Sequence, residues 1–101
     1  MTFDNLTENV IQWADDKNIL KIENAPKQIM KVIEELGETC EAINKQKESD
    51  EIMDGLGDTF VTLIILSKQL GYEPVECLER AWNEIKDRKG KTEGGVFIRE
   101  E

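Results

Sequence analysis

Apolar residues recur along the chain at intervals of three and four, the period of helices buried along one face. Val10, Ile11 and Trp13 anchor a first helix over about residues 6–16, with Thr7 or Asn5 as its cap. An irregular segment, NILKIENAP, follows. Pro26 suits the first turn of a second helix, which runs to about residue 44 or 47. Ser49 or Asp50 caps a third, with Glu51 in its first turn, extending to about Leu70 before Gly71 stops it. Pro74 opens a fourth helix that fades near Gly90, and the tail GGVFIREE alternates weakly, as a short strand or an ordered extension would. Connections of a few residues make neighbouring helices antiparallel. The expected fold is all-α: an antiparallel four-helix bundle with a short C-terminal extension, one domain over residues 1–101.

Polar positions on the middle two helices are unusually acidic. On the second, Ile29, Val32, Ile33, Leu36, Cys40 and Ile43 form the expected packing stripe. Gln28, Lys31, Glu35, Glu38 and Ala42 form a ladder on the other side. On the third, Glu51, Asp54 and Asp58 fall within roughly 60° of one another. From Phe60 to Leu66 that helix reads FVTLIIL, apolar almost all round, so its end is expected in the core or in a subunit interface. Val61 and Ile65 continue the face that carries Asp58. Acids brought by two helices to a common interior repel unless something neutralises them. A hard divalent cation does so through oxygen ligands. On spacing alone a second expectation stands beside it: an acidic face that is merely solvated, with ordinary pairs such as Lys31 with Glu35.

The totals narrow the chemistry. The chain has 101 residues, 39% hydrophobic and 35% charged, with a formal net charge of −9. That balance argues against a nucleic-acid partner, which needs a basic face, but leaves room for a phosphorylated ligand if a metal ion reverses the local field. No apolar run approaches the roughly 20 residues needed to span a bilayer. The first residues carry no basic and apolar leader pattern. The expected location is therefore the cytoplasm, of a cell or of a phage-infected host, with no membrane partner. There is no histidine, and Cys40 and Cys77 are far apart, which disfavours zinc and Glu-x-x-His di-iron centres and removes Ser/His and Cys/His nucleophiles. Both cysteines are expected reduced and packed. Trp13 and Trp82 are expected as buried anchors rather than base-stacking platforms. Catalysis, if any, must run on carboxylates, lysine or metal.

The stretches EELGE (34–38) and EIMDGLGD (51–58) resemble the signature of the MazG-like, all-α nucleoside triphosphate pyrophosphohydrolases, EExxE followed after a spacer by ExxD. NEIKDRKGK and GGVFI resemble the ends of the short, single-domain, phage-type members, so the likeness runs from about Gln28 onward. It implies Mg2+-dependent hydrolysis of NTPs or dNTPs to the monophosphate and pyrophosphate, with Mn2+ as a substitute ion. It implies Glu35, Glu38 and Asp58 as metal ligands and Glu34 as the acid that orients or deprotonates water. Three residues before Asp58, where the family pattern has Glu, stands Gly55. Asp54, on the same helical face, is taken as the substitute ligand, with Glu51 as an outer or alternate one; Glu51 to Asp54 itself spells ExxD. Lys31, Asn83, Lys86, Arg88 and Lys89, with Lys91, are expected to hold the phosphate chain. A homodimer or homotetramer is expected, because an all-round apolar helix needs partner surface. The alternative is a non-catalytic acidic helical protein that keeps the fold and binds a partner, which Gly55 favours.

Overall fold

The structure, a computed structural model, describes residues 1–100. Glu101, the end of the expected extension, lies outside them. Four helices are present: α1 (Phe3–Asp16), α2 (Ala25–Asn44), α3 (Ser49–Gln69) and α4 (Pro74–Ile85), followed by strands β1 (Gly90–Glu93) and β2 (Val96–Arg99). A single 3-10 turn, Ile22–Asn24, leads into α2.

Helix ends follow local chemistry. α1 starts earlier than the apolar pattern indicates, because Thr2 caps it: its Oγ1 accepts from Asn5 N–H at 3.0 Å while Asn5 Oδ1 accepts from Thr2 N–H at 3.4 Å. Neither Ser49 nor Asp50 caps α3; Glu48 is the cap residue, without a side-chain bond, and both sit in the first turn. Three helices close with the same device, a residue in the left-handed region whose neighbour's N–H reaches back along the helix. These residues are Asn18 (φ 60°), Gln46 (φ 52°) and Gly71 (φ 84°), and the following N–H groups donate to Ala14, Ala42 and Ser67.

α3 is the hub: α1, α2 and α4 pack on it, whereas α1 and α4 pack on neither α2 nor each other. Gln28 Nε2 donates to the Thr62 carbonyl at 3.1 Å, and Gly55 lies against Thr39, so α2 and α3 run antiparallel. Gln69 Nε2 on α3 donates to the Ile19 carbonyl at 3.1 Å, which pins the segment before α2.

The side chains that α2 buries are small or short. Ala25, Val32, Thr39 and Ala42 are the buried residues of α2; Thr62, Ile64, Ile65 and Gln69 are those of α3. This corrects the expected packing stripe. Only Val32 of it is buried, while Ile29, Ile33, Leu36, Cys40 and Ile43 remain exposed. The acidic-ladder side meets α3 instead, since its small residues permit the close approach that dispersion rewards. The FVTLIIL stretch is half covered: Thr62, Ile64 and Ile65 are buried, whereas Phe60 and Leu63 are exposed. Phe60 meets Phe3 of α1 edge to face, ring centroids 5.8 Å apart. The cysteines are free and exposed rather than packed, and both tryptophans are about half exposed.

α4 stops at Ile85 rather than near Gly90. Its next residues are polar, with no apolar face to bury, and the chain instead turns into a hairpin. Gly94 and Gly95 (φ 56° and 80°) form the two-residue turn that this twist favours. The weakly alternating tail is thus β2, and β1 is its partner, paired Gly90 to Arg99. Gly90 is required there, since a Cβ would collide with the Ile98 carbonyl.

Candidate metal and phosphate site

Where α2 crosses α3, the acid ladder opens into a cleft of about 310 Å3. Glu35, Glu38 and Glu41 line it from α2, and Glu51, Asp54 and Asp58 line it from α3. Thr39, Ala42 and Gly55 form its floor, and Lys47 enters from the connection between the helices. All four expected metal ligands, Glu35, Glu38, Asp54 and Asp58, are therefore gathered in one place. The formal balance is −5: six carboxylates against one ammonium.

Gly55 packs against Thr39 where the two helices cross. An ideal Cβ there would stand 2.5 Å from Thr39 Oγ1 and 3.2 Å from Thr39 Cβ. Thr39 is buried and its hydroxyl donates to the Glu35 carbonyl at 2.8 Å, so it has little freedom to retreat. A glutamate at 55 would wedge the helices apart. Asp54, one residue earlier, borders the same cleft without that collision.

Electrostatics report the crowding. Glu35 is half-buried, and that partial removal from water raises its carboxyl pKa above the usual value; the charges of Glu38 and then Asp58 push it further, against Lys31. Asp58 belongs to the other helix, so the two acidic faces feel each other. Glu41 is held down instead, first by the hydrogen bond from Lys45 Nζ at 2.7 Å and then by the Lys45 and Lys47 charges.

The donor set, oxygen only and uncompensated, fits a hard divalent cation in its chemistry. The side chains do not yet close on one point: among the described residues, no three carboxylates or thiols are arranged to hold an ion. Glu34 does not line the cleft; it is exposed and lies 3.8 Å from Lys31. Asn83, Lys86, Arg88 and Lys89 do not line it either. Asn83 borders a wider cleft with Tyr72, Cys77 and Arg80, and the three cations follow α4, which itself packs on α3 alone among the helices. Sequence reasoning missed Glu41, Thr39 and Lys47 as lining residues. For Lys47 a signal existed, its place four residues before Glu51.

No helix of the described residues is long and apolar enough to cross a membrane. Residues 24–91 match the model of the MazG nucleotide pyrophosphohydrolase domain. Over 64 residues the chain is 44% identical to the "Uncharacterized 18.2 kDa protein in rep-hol intergenic region" of Haemophilus phage HP1 (strain HP1c1). That alignment takes in 63% of this chain but 39% of the phage protein, so the chain spans about two fifths of its relative's length. No solved structure matches. The family match covers α2, α3, α4 and the acid cleft between the first two, and the chain belongs to the MazG nucleotide pyrophosphohydrolase domain family.

Proposed function

We propose that the chain hydrolyses nucleoside triphosphates, NTPs or dNTPs, to the monophosphate and pyrophosphate. Water adds to the α-phosphorus, the bond to the bridging α–β oxygen breaks, and pyrophosphate leaves with the electron pair. The observation that carries this reading is the cross-helix acid cleft, in which Glu35 is perturbed by Glu38 from its own helix and Asp58 from the next.

Glu35, Glu38, Asp54 and Asp58 would hold Mg2+, with Mn2+ as a substitute. When bound, the ion neutralises phosphate oxygens and lowers the pKa of water at the attacking position. Glu34, which the family resemblance assigns to the water's proton, does not line the cleft within one protomer and would have to turn toward it to take or direct that proton. Lys31, Asn83, Lys86, Arg88 and Lys89 steady the phosphates, which requires Lys31, α4 and the segment after it to reach a cleft that none of these residues lines within one protomer.

A homodimer or homotetramer supplies that route. The protomer exposes 8095 Å2, whereas a compact monomer of this mass exposes roughly 5,800 Å2. The excess, roughly 2,200 Å2 by that scaling, is well above the ~800 Å2 per partner of a standard stable interface. Much of it is apolar: Ile29, Ile33 and Leu36 on α2, and Val75, Leu78 and Trp82 on α4. A radius of gyration of 15.9 Å against about 13 Å for a compact domain of 100 residues supports the same reading. The compartment this chemistry implies is the cytoplasm, where the substrates are.

Incubation with a panel of NTPs and dNTPs and Mg2+ tests the activity. Equal amounts of monophosphate and pyrophosphate are expected; release of orthophosphate alone, or of nothing, contradicts it. Glu38→Gln is expected to slow pyrophosphate release by about 100-fold or more, given the several kcal/mol that a metal ion contributes. The second reading, a non-catalytic binding protein, is favoured by the unclosed ligand set, and it requires that the panel give no turnover.

A further inference from the structure

The β1–β2 hairpin stands apart from the helices. Among the described residues it packs on no helix of its own protomer, and Val96, Phe97 and Ile98 of β2 are all exposed. A two-stranded ribbon alone in water is marginally stable at best. Its own side chains hold it in part. The Phe97 ring lies over Gly90, where a Cβ would stand 2.6 Å from ring atom Cζ, and Lys91 Nζ meets Glu93 Oε1 at 2.9 Å. Neither contact covers the free edge of β2.

The ladder fixes which backbone groups that edge presents. The Glu100 N–H donates to the Lys89 carbonyl at 2.8 Å, so these two residues form a hydrogen-bonded pair. Bonded and non-bonded pairs alternate along an antiparallel ladder. Gly90 opposite Arg99 and Thr92 opposite Phe97 are therefore the non-bonded pairs. The N–H and C=O groups of Phe97 and Arg99 point out of the β2 edge, and those of Gly90 and Thr92 out of the β1 edge. The two edges are guarded differently. β1 carries the Lys91–Glu93 ion pair, the kind of charge that discourages strand addition, whereas β2 reads Val-Phe-Ile before its one charge, Arg99.

We propose that the β2 edge is an interaction surface for a second copy of this chain, the two hairpins joining edge to edge as a four-stranded antiparallel sheet. The edge itself selects this occupant. Its outward groups lie symmetrically about Ile98, so a two-fold axis there sets Phe97 opposite Arg99 of the second copy, and Arg99 opposite its Phe97. Both pairs close their backbone hydrogen bonds. On one face the two Ile98 side chains meet and Val96 falls opposite Glu100; on the other, each guanidinium comes beside a Phe97 ring. No like charges stand directly opposite. Charge permits self-association here as it does not elsewhere: Lys91 and Arg99 balance Glu93 and Glu100, while the whole chain carries −9. The contact is separate from the exposed apolar faces of α2 and α4, so the two kinds together turn a dimer into a tetramer. It holds whether or not the chain hydrolyses nucleotides.

Cross-linking reads the register. Across the axis the two Ile98 residues form a non-bonded pair with Cα atoms about 4.5 Å apart, within the roughly 4.4–6.8 Å that a disulfide spans. With Cys40→Ser and Cys77→Ser removing the native thiols, Ile98→Cys is expected to form a covalent dimer in a glutathione redox buffer. Val96→Cys, whose two copies lie about 14 Å apart along the strands, is expected to form none. In the unmodified chain, amide hydrogen exchange at Phe97 and Arg99, corrected for intrinsic rates, should be at least about 10-fold slower than at Gly90 and Thr92. Ile98→Lys sets two ammonium groups opposite each other and should release that protection and halve the mass of the assembly in sedimentation. Val96→Lys, opposite Glu100 of the second copy, should leave both unchanged. Free exchange at Phe97 and Arg99, cross-linking equal at the two positions or absent from both, or an unchanged mass in Ile98→Lys overturns the contact. Protection without the cross-link assigns the edge to something other than a second copy and overturns it as well.

Discussion

Gly55→Ala probes the crossing that forms the cleft. Helix propensity alone favours alanine at an interior position by about 1 kcal/mol. Here the new Cβ would stand 2.5 Å from Thr39 Oγ1, 3.2 Å from its Cβ and 3.4 Å from its Cγ2. Thr39 is a buried, β-branched residue bonded to the Glu35 carbonyl, so it cannot swing away without exchanging that bond for an unpaired hydroxyl. Overpacking of this kind costs about 1–3 kcal/mol. Added to about 1 kcal/mol for the lost hydrogen bond and set against the propensity gain, it leaves a net destabilisation of about 1–3 kcal/mol. In a Thr39→Ala background the worst contact disappears, and the Cβ–Cβ approach of 3.2 Å yields to a small shift. Gly55→Ala should then be close to neutral, a coupling of about 1–3 kcal/mol between the two positions. Denaturant unfolding of the four proteins measures it, at one protein concentration so that the proposed assembly would weigh equally on all four. Stabilisation of the wild type by the full propensity term would refute the close approach of α2 and α3 at this point.

Other expectations concern the acids. Asp54→Asn should reduce pyrophosphate release far more than Glu51→Gln; equal effects in a turnover assay would undo the choice of Asp54 as the stand-in for the family glutamate. Glu35→Gln should raise the melting temperature at pH 7 in the presence of a chelator. The folded-state pKa of Glu35 lies above its ordinary value of 4.5, so its favourable contribution is complete below about that pH and is lost as pH rises through the raised value. The gain from Glu35→Gln should accordingly fade when the melts are repeated near pH 4, and Mg2+ should reverse the order of the two proteins at pH 7. A lower melting temperature for Glu35→Gln in chelator at pH 7 would show that Glu35 is not crowded by like charge.

The helices were legible because Pro26, Pro74 and Gly71 punctuate them and because their apolar spacing is helical. The acids were legible because three- and four-residue spacing puts Glu35 with Glu38, and Asp54 with Asp58, on single faces. The face of α2 that meets α3 was not. Ile29, Ile33, Leu36 and Ile43 make the more hydrophobic side, and hydrophobicity points to them as the inner one. On α2 the chain instead uses small residues for the contact within a protomer and leaves the large ones outside, where the proposed second subunit would cover them. Intramolecular patterning holds no mark that separates the two kinds of burial. The end of α4 was hidden for a different reason: Gly90–Glu93 has no strand pattern of its own, and only the Gly94-Gly95 turn and the close contact at Gly90 make it one. Lys47 was passed over because its place in the cleft depends on a left-handed Gln46, a conformation that glutamine rarely marks.

The most direct measurement is a calorimetric titration of Mg2+ into the wild type, Glu38→Gln and Asp58→Asn. One saturable site per protomer is expected in the wild type, lost or weakened at least about 10-fold by the change on either helix. Binding that survives both substitutions, or no saturable binding in the wild type, would contradict a cation held between α2 and α3.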